Sequence, residues 1–249
     1  MTEEAAAAQG VGVLPEHMSE HFGDATLELV QQAMGEGIEH GVLLMRHSAR
    51  TFDRSIHDLE NRLTDHGRNL CRQLGESLPK QLLLRGYASP PSRCVETAET
   101  IIGAHGQSGG PVARTRPVEG LGIFYGLDQQ KMWKGLSLAP SMAAYIQQWF
   151  DGAVPADAMI PAPLAVQLVM RIMLAKLDAN RAGGAAALDL CVSHDFTVLT
   201  VRHGMGLEPV DGPDIEFLDG LLLIEKDGRT LLRSHHGGEV EINRDAYQL

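Results

Sequence analysis

Residues 41–50 read Gly41-Val-Leu-Leu-Met45-Arg46-His47-Ser48-Ala49-Arg50. A short, continuous apolar run is the pattern of a strand covered on both faces, and this one stops abruptly at Arg46-His47. Just past its end an imidazole stands between two guanidiniums. That pattern offers a nucleophile beside permanently charged forks that match phosphate oxygens. A solvated loop at a sheet edge is the plainer alternative.

Working outward, Ala187-Leu-Asp-Leu-Cys-Val192 is a second such run, and it ends at Ser193-His194-Asp195. Leu82-Leu83-Leu84 leads to the bend Ser89-Pro90-Pro91, with Arg93 in the first turn of the helix that follows. Helix amino termini favour anions, so a cation there points to a ligand or to an ion pair with Glu96 or Glu99. Between the runs lie segments with helical signals. One starts at Asp24; one is capped by Thr64 and runs to Leu78, with Leu70, Leu74 and Leu78 on one face; another is capped by Ser92 and runs to Ala104; a longer one spans 164–180. A third apolar segment lies near Val118, and 220–232 reads as a hairpin turned at Asp227-Gly228. Residues 120–160 are the least readable, with a helix expected at Met142–Phe150 and a Pro-rich stretch at 155–163.

Strands alternating with helices predict an α/β sheet covered on both sides, with the site at the carboxyl ends of strands. Three expected strand ends carry reactive groups: Arg46-His47, the turn from Ser89 to Arg93, and His194-Asp195. Residues 24–249 read as one domain, preceded by a loose arm at 1–23.

The 249 residues are 44% hydrophobic, which excludes a disordered polymer. Lys and Arg number 21 against 32 Asp and Glu, a formal charge of −11, so nucleic acid and anionic membranes are not expected partners. Any anion must be held by a local cluster of cations. Cys71, Cys94 and Cys191 are an odd count without C-x-x-C spacing, which argues against a disulfide framework and a structural zinc site. The acidic start and the lack of a long apolar stretch predict a cytoplasmic chain. His235-His236 sits near a strand end and reads at most as an adventitious metal contact.

Taken together these segments resemble the histidine phosphatase superfamily, also called phosphoglycerate mutase-like. Its Arg-His-Gly signature appears as Arg46-His47-Ser48, and its Leu-Thr-x-x-Gly segment as Leu63-Thr64-Asp65-His66-Gly67. Its Ser-x-x-x-Arg and Thr-Ala-Glu motifs appear in Ser89-Pro-Pro-Ser-Arg93-Cys-Val-Glu-Thr97-Ala98-Glu99, and its late His motif as Ser193-His194. The matches fall in family order over about residues 42 to 205.

The resemblance implies a three-layer α/β/α fold with a mostly parallel central sheet. It also implies a metal-independent phosphatase that hydrolyses a small phosphomonoester through a phosphohistidine and needs no cofactor. A phosphomutase, a phosphoprotein phosphatase and a non-catalytic phosphate- or partner-binding module share the same motifs, and a homo-oligomer is left open. By position, His47 is the nucleophile, Arg46 and Arg93 hold phosphoryl oxygens, and His194 completes the site. Arg50 and Asp195 resemble the second arginine and the proton donor of the acid-phosphatase branch. Asp195 would also serve as a cap for a helix at 196–201. Ser48 replaces the motif glycine, where it narrows the site or bonds a phosphate oxygen. Glu119, in Pro117-Val-Glu-Gly-Leu-Gly, is the alternative acid, by analogy with the mutase-like branch.

Overall fold

The computed structural model describes residues 19–53 and 55–247, so most of the expected arm lies outside the described residues. In chain order the elements are α1 (Asp24–Gly35), β1 (His40–Arg46), α2 (Asp65–Ser77), β2 (Leu83–Ala88), α3 (Ser92–Gln107), β3 (Val112–Pro117) and α4 (Gln129–Leu138). There follow α5 (Met142–Phe150), α6 (Ala162–Gly183), β4 (Ala187–Ser193), α7 (Asp195–Gly204), β5 (Gly220–Lys226), β6 (Arg229–Ser234) and β7 (Glu239–Glu241). Short 3-10 turns occur at Asp58–Glu60 and Glu119–Leu121.

The strands form one sheet in the order β3-β2-β4-β1-β5-β6-β7. The first four are parallel and the last three continue antiparallel from β1. Alternation along β1 divides its side chains between two cores. Val42 and Leu44 join α5, α6 and α7 on one face, and Leu43 and Met45 join α1, α2 and α3 on the other. The result is the three-layer arrangement, and it explains why β1 and β4 are buried at nearly every position.

Local chemistry sets the element ends. Thr64 caps α2, its Oγ1 accepting from Gly67 N at 3.0 Å. The Asp227-Gly228 hairpin turn holds both residues at positive φ, 51° and 75°, which matches the twist of β5 and β6. Two expectations are corrected. Pro91, not Ser92, occupies the cap position of α3. His194 occupies that of α7, with Asp195 as the first helical residue, its Oδ1 accepting from Phe196 N at 2.7 Å. Helix α4, unforeseen in the unreadable middle, buries only Met132 and so has little apolar periodicity to display. Phe22, which the sequence reading placed in the arm, packs edge-on against Phe217 with ring centroids 5.5 Å apart. No helix among the described residues is long and apolar enough to cross a membrane.

Candidate active site

β1 and β4 run side by side with Arg46 paired to Ser193, so their parallel course brings His47 and His194 to the same sheet end. His47 N donates to Ser193 O at 3.0 Å, extending the ladder one residue past the strand. The two imidazoles meet edge to face, with centroids 5.6 Å apart, and both residues are buried.

The loop after His47 is clamped from two sides. Ser48 N donates to Thr97 Oγ1 at 3.0 Å, and that hydroxyl donates to Arg93 O at 2.8 Å. Ser48 Oγ donates to Gly67 O at 2.9 Å, and the residue is fully buried. Its hydroxyl therefore bonds inside the fold and not to a phosphate oxygen, one of the two roles expected for it. A Cβ on Gly67 would stand 2.1 Å from Ala49 O, so only glycine lets α2 approach this loop. The Leu-Thr-x-x-Gly and Thr-Ala-Glu segments are thus supports for the histidine.

His47 Nδ1 lies 2.8 Å from Ser48 O, a carbonyl that can only accept. Nδ1 therefore carries the hydrogen and Nε2 the lone pair. Arg93 Nε donates to Nε2 at 3.2 Å. Burial, then the charges of His194 and Arg46, hold the His47 imidazole well below its ordinary pKa. His194 is pushed down to about 4, chiefly by burial and next by Arg93. Its Nε2 shares a 2.9 Å hydrogen bond with Ser89 Oγ. Both rings are neutral at physiological pH. The nearby Cys94 thiol is pushed up to about 12 by burial, which keeps it protonated and unreactive.

Arg50 and Arg93 meet on one carboxylate that the sequence reading does not name. Arg93 Nη2 lies 3.0 Å from Asp58 Oδ2, and Arg50 Nη1 lies 3.0 Å from Asp58 Oδ1. Arg93 Nη1 also donates to Asp58 O at 2.8 Å. Neither Glu96 nor Glu99 takes the place of Asp58: Glu96 instead accepts from Arg68 Nε and Leu63 N. Sequence gave no sign of Asp58, because its partners lie at positions 50 and 93 and meet it only in the fold. Arg46 stacks on Phe217 at 4.1 Å, donates to Ile215 O at 2.7 Å and pairs with Asp195 Oδ2 at 3.1 Å. Glu119 is exposed in a 3-10 turn that runs beside Ser89, since a Cβ on Gly122 would be 3.3 Å from Ser89 Oγ. Among the described residues the grouping with metal-ligand spacing is Asp219, His235 and His236, which lies outside this cluster.

Two buried imidazoles, His47 and His194, lie beside Arg93 at the carboxyl ends of adjacent parallel strands of an α/β sheet. The chain belongs to the histidine phosphatase superfamily (branch 1), whose description matches residues 42–208. Among solved structures it is similar to a phosphoglycerate mutase from Bacillus anthracis, at 16% identity and TM-score 0.50, over 80% of this chain and 94% of that one. It is also similar to Bacillus stearothermophilus YhfR, at 16% identity and TM-score 0.50, over 76% and 92%. A phosphoserine phosphatase from Entamoeba histolytica matches at 15% identity and TM-score 0.49, over 78% and 95%. At these identities the likeness to the first two speaks for the fold. No curated protein matches the sequence.

Proposed function

We propose that the protein is a phosphatase that hydrolyses a small phosphomonoester through a phosphohistidine at His47. The observation that carries this reading is the fixed tautomer of His47: Nδ1 is tied to Ser48 O, so the Nε2 lone pair faces the Arg93 guanidinium. A neutral, buried, oriented imidazole is an activated nucleophile.

A phosphomonoester carries about −1.5 to −2 charges at neutral pH. Arg93 and Arg50 would receive that charge where they now hold the Asp58 carboxylate, so the substrate displaces Asp58 as it enters. Arg46 adds a third cation, and fixed guanidiniums stabilise the equatorial oxygens in the transition state. Nε2 then forms a bond to phosphorus while the ester P–O bond breaks. Asp195 supplies the proton to the leaving alkoxide. Once the phosphoryl dianion takes hold of Arg46, Asp195 loses its cationic partner and gains a like charge nearby. In the second half-reaction Asp195 takes a proton from water, whose oxygen attacks phosphorus. The N–P bond breaks, releasing inorganic phosphate and restoring His47.

The test is rapid mixing with a ³²P-labelled phosphomonoester, an alkaline quench, and mapping of the label. Label on the peptide containing His47, with free phosphate as product, is the expected result. Release of phosphate without label on His47 overturns the mechanism, and transfer of label to a second alcohol in place of water overturns the phosphatase assignment. Asp195→Asn should slow turnover more than Glu119→Gln; the reverse order moves the acid to Glu119.

A further inference from the structure

The adjacent pair His235-His236, dismissed on sequence alone, closes onto Asp219 at the far end of the β5–β6 hairpin. The three residues each offer a ligand atom, all within 4.8 Å of one another. We propose that Asp219, His235 and His236 form a site for a first-row divalent transition metal such as Zn²⁺.

The argument rests on His235. Its side chain is fully buried, and its Nδ1 lies 3.0 Å from Gly220 O. That carbonyl can only accept, so Nδ1 is the donor and Nε2 is the nitrogen left for a ligand bond. Nε2 stands 3.0 Å from Asp219 Oδ2, yet it is buried without a hydrogen bond. The carboxylate oxygen therefore lies off the axis of the nitrogen. A simple imidazolium–carboxylate pair would draw the oxygen onto the N–H axis. Two atoms that ligate one ion in neighbouring positions behave otherwise. Each about 2.1 Å from the ion, they lie about 3.0 Å apart at right angles and about 3.4 Å apart at the tetrahedral angle, with neither aimed at the other.

Supporting contacts have the form metal ligands need. A carbonyl fixes His235 from behind, and Glu216 N donates to Asp219 Oδ2 at 2.7 Å, orienting the carboxylate. His236 packs against His235 with centroids 4.0 Å apart and ring planes tilted by 43°, and it is exposed, which gives an ion a way in. Two imidazoles and one carboxylate leave positions for water and suit Zn²⁺ or Fe²⁺ better than Mg²⁺ or Ca²⁺.

The site has a structural consequence. Asp219 O accepts from Arg46 N at 2.9 Å, and Ile215 and Phe217 of the same loop hold the Arg46 side chain. Leu218 within this loop adopts a φ of 66°, unusual for a residue with a branched side chain. An ion on Asp219 would staple this loop to the end of β6.

The experiment is calorimetric titration of the chelator-treated full chain with Zn²⁺, alongside thermal melts with and without the ion. One ion per chain should bind saturably and raise the melting temperature. His236→Ala, at an exposed position, should weaken binding by about 10-fold or more, and His235→Gln should abolish it. Absence of saturable binding overturns the site, as does wild-type affinity in the folded His236→Ala protein. Because His47 plays no part in this binding, His47→Ala should take up Zn²⁺ like the wild type, whatever the outcome for the phosphatase reading.

Discussion

His47 and Asp58 approach the Arg93 guanidinium from different elements and are held in opposite ways. His47 is 4% exposed, and it is tied through its own N–H, its ring and the Ser48 amide to β4, the loop and α3. The Asp58 side chain is 53% exposed, in a three-residue turn. The same loop exposes Phe52, Ile56 and Leu59. An isolated bridge between Arg50 and Leu63 closes its neck. Exposed ion pairs contribute only about 0.2–1 kcal/mol, whereas the ties on His47 are buried. On the proposed mechanism the difference would separate two tasks, a fixed attacking nitrogen and an exchangeable charge beside it.

Removing the fixed partner should have the largest effect. His47→Ala is expected to lower kcat by on the order of 10⁴-fold or more, measured as phosphate release. Turnover within tenfold of wild type would place the nucleophile elsewhere. A subtler attack on the same support is Gly67→Ala, whose methyl group would collide with the Ala49 carbonyl. Overpacking of this kind costs about 1–3 kcal/mol or more, read as a lower midpoint in urea. An unchanged midpoint would show that the loop is less firmly held than its contacts indicate.

The pH dependence follows from the same burial. His194 has a pKa of about 4 in the folded state, below the ordinary imidazole value, so between roughly pH 6.5 and 4 the unfolded chain binds a proton that the native site does not. Stability should therefore fall as pH drops through that window, by about 2 kcal/mol at pH 5 from this group, with His47 acting in the same direction. Urea unfolding at pH 7 and pH 5 measures it, and a His194→Asn protein should lose part of the difference. Equal pH slopes in the two proteins would contradict a buried neutral His194.

The smallest effect concerns the exchangeable side. Asp58→Asn removes the carboxylate that a phosphate must displace, so inorganic phosphate should bind up to about 5-fold more tightly as a competitive inhibitor. Weaker phosphate binding would make Asp58 a support for the arginines in place of a competitor.

How much of this was legible depended on where the partners lie. β1 and β4 could be read because burial on both faces leaves a continuous apolar run. β3 is an edge strand with largely exposed side chains, and its sequence Val-Ala-Arg-Thr-Arg-Pro shows no such run. The reactive residues at strand ends were visible because each directly follows such a run or a bend. The bond from Ser48 Oγ to Gly67 O was not legible, since that carbonyl comes within reach only when α2 docks. Asp58 and Phe217 were invisible for the same reason: each acts on residues distant along the chain.

The pairing of Arg46 with Ser193 has a consequence for anyone who would retune this chemistry. A ladder moves only in whole residues, about 3.3 Å at a time, and a single step turns every side chain to the opposite face. The gap between the two rings is thus quantised by the sheet. Fine adjustment falls to Ser89 and Cys94, whose side chains touch the second ring, and those are the positions where a library of variants would find graded behaviour.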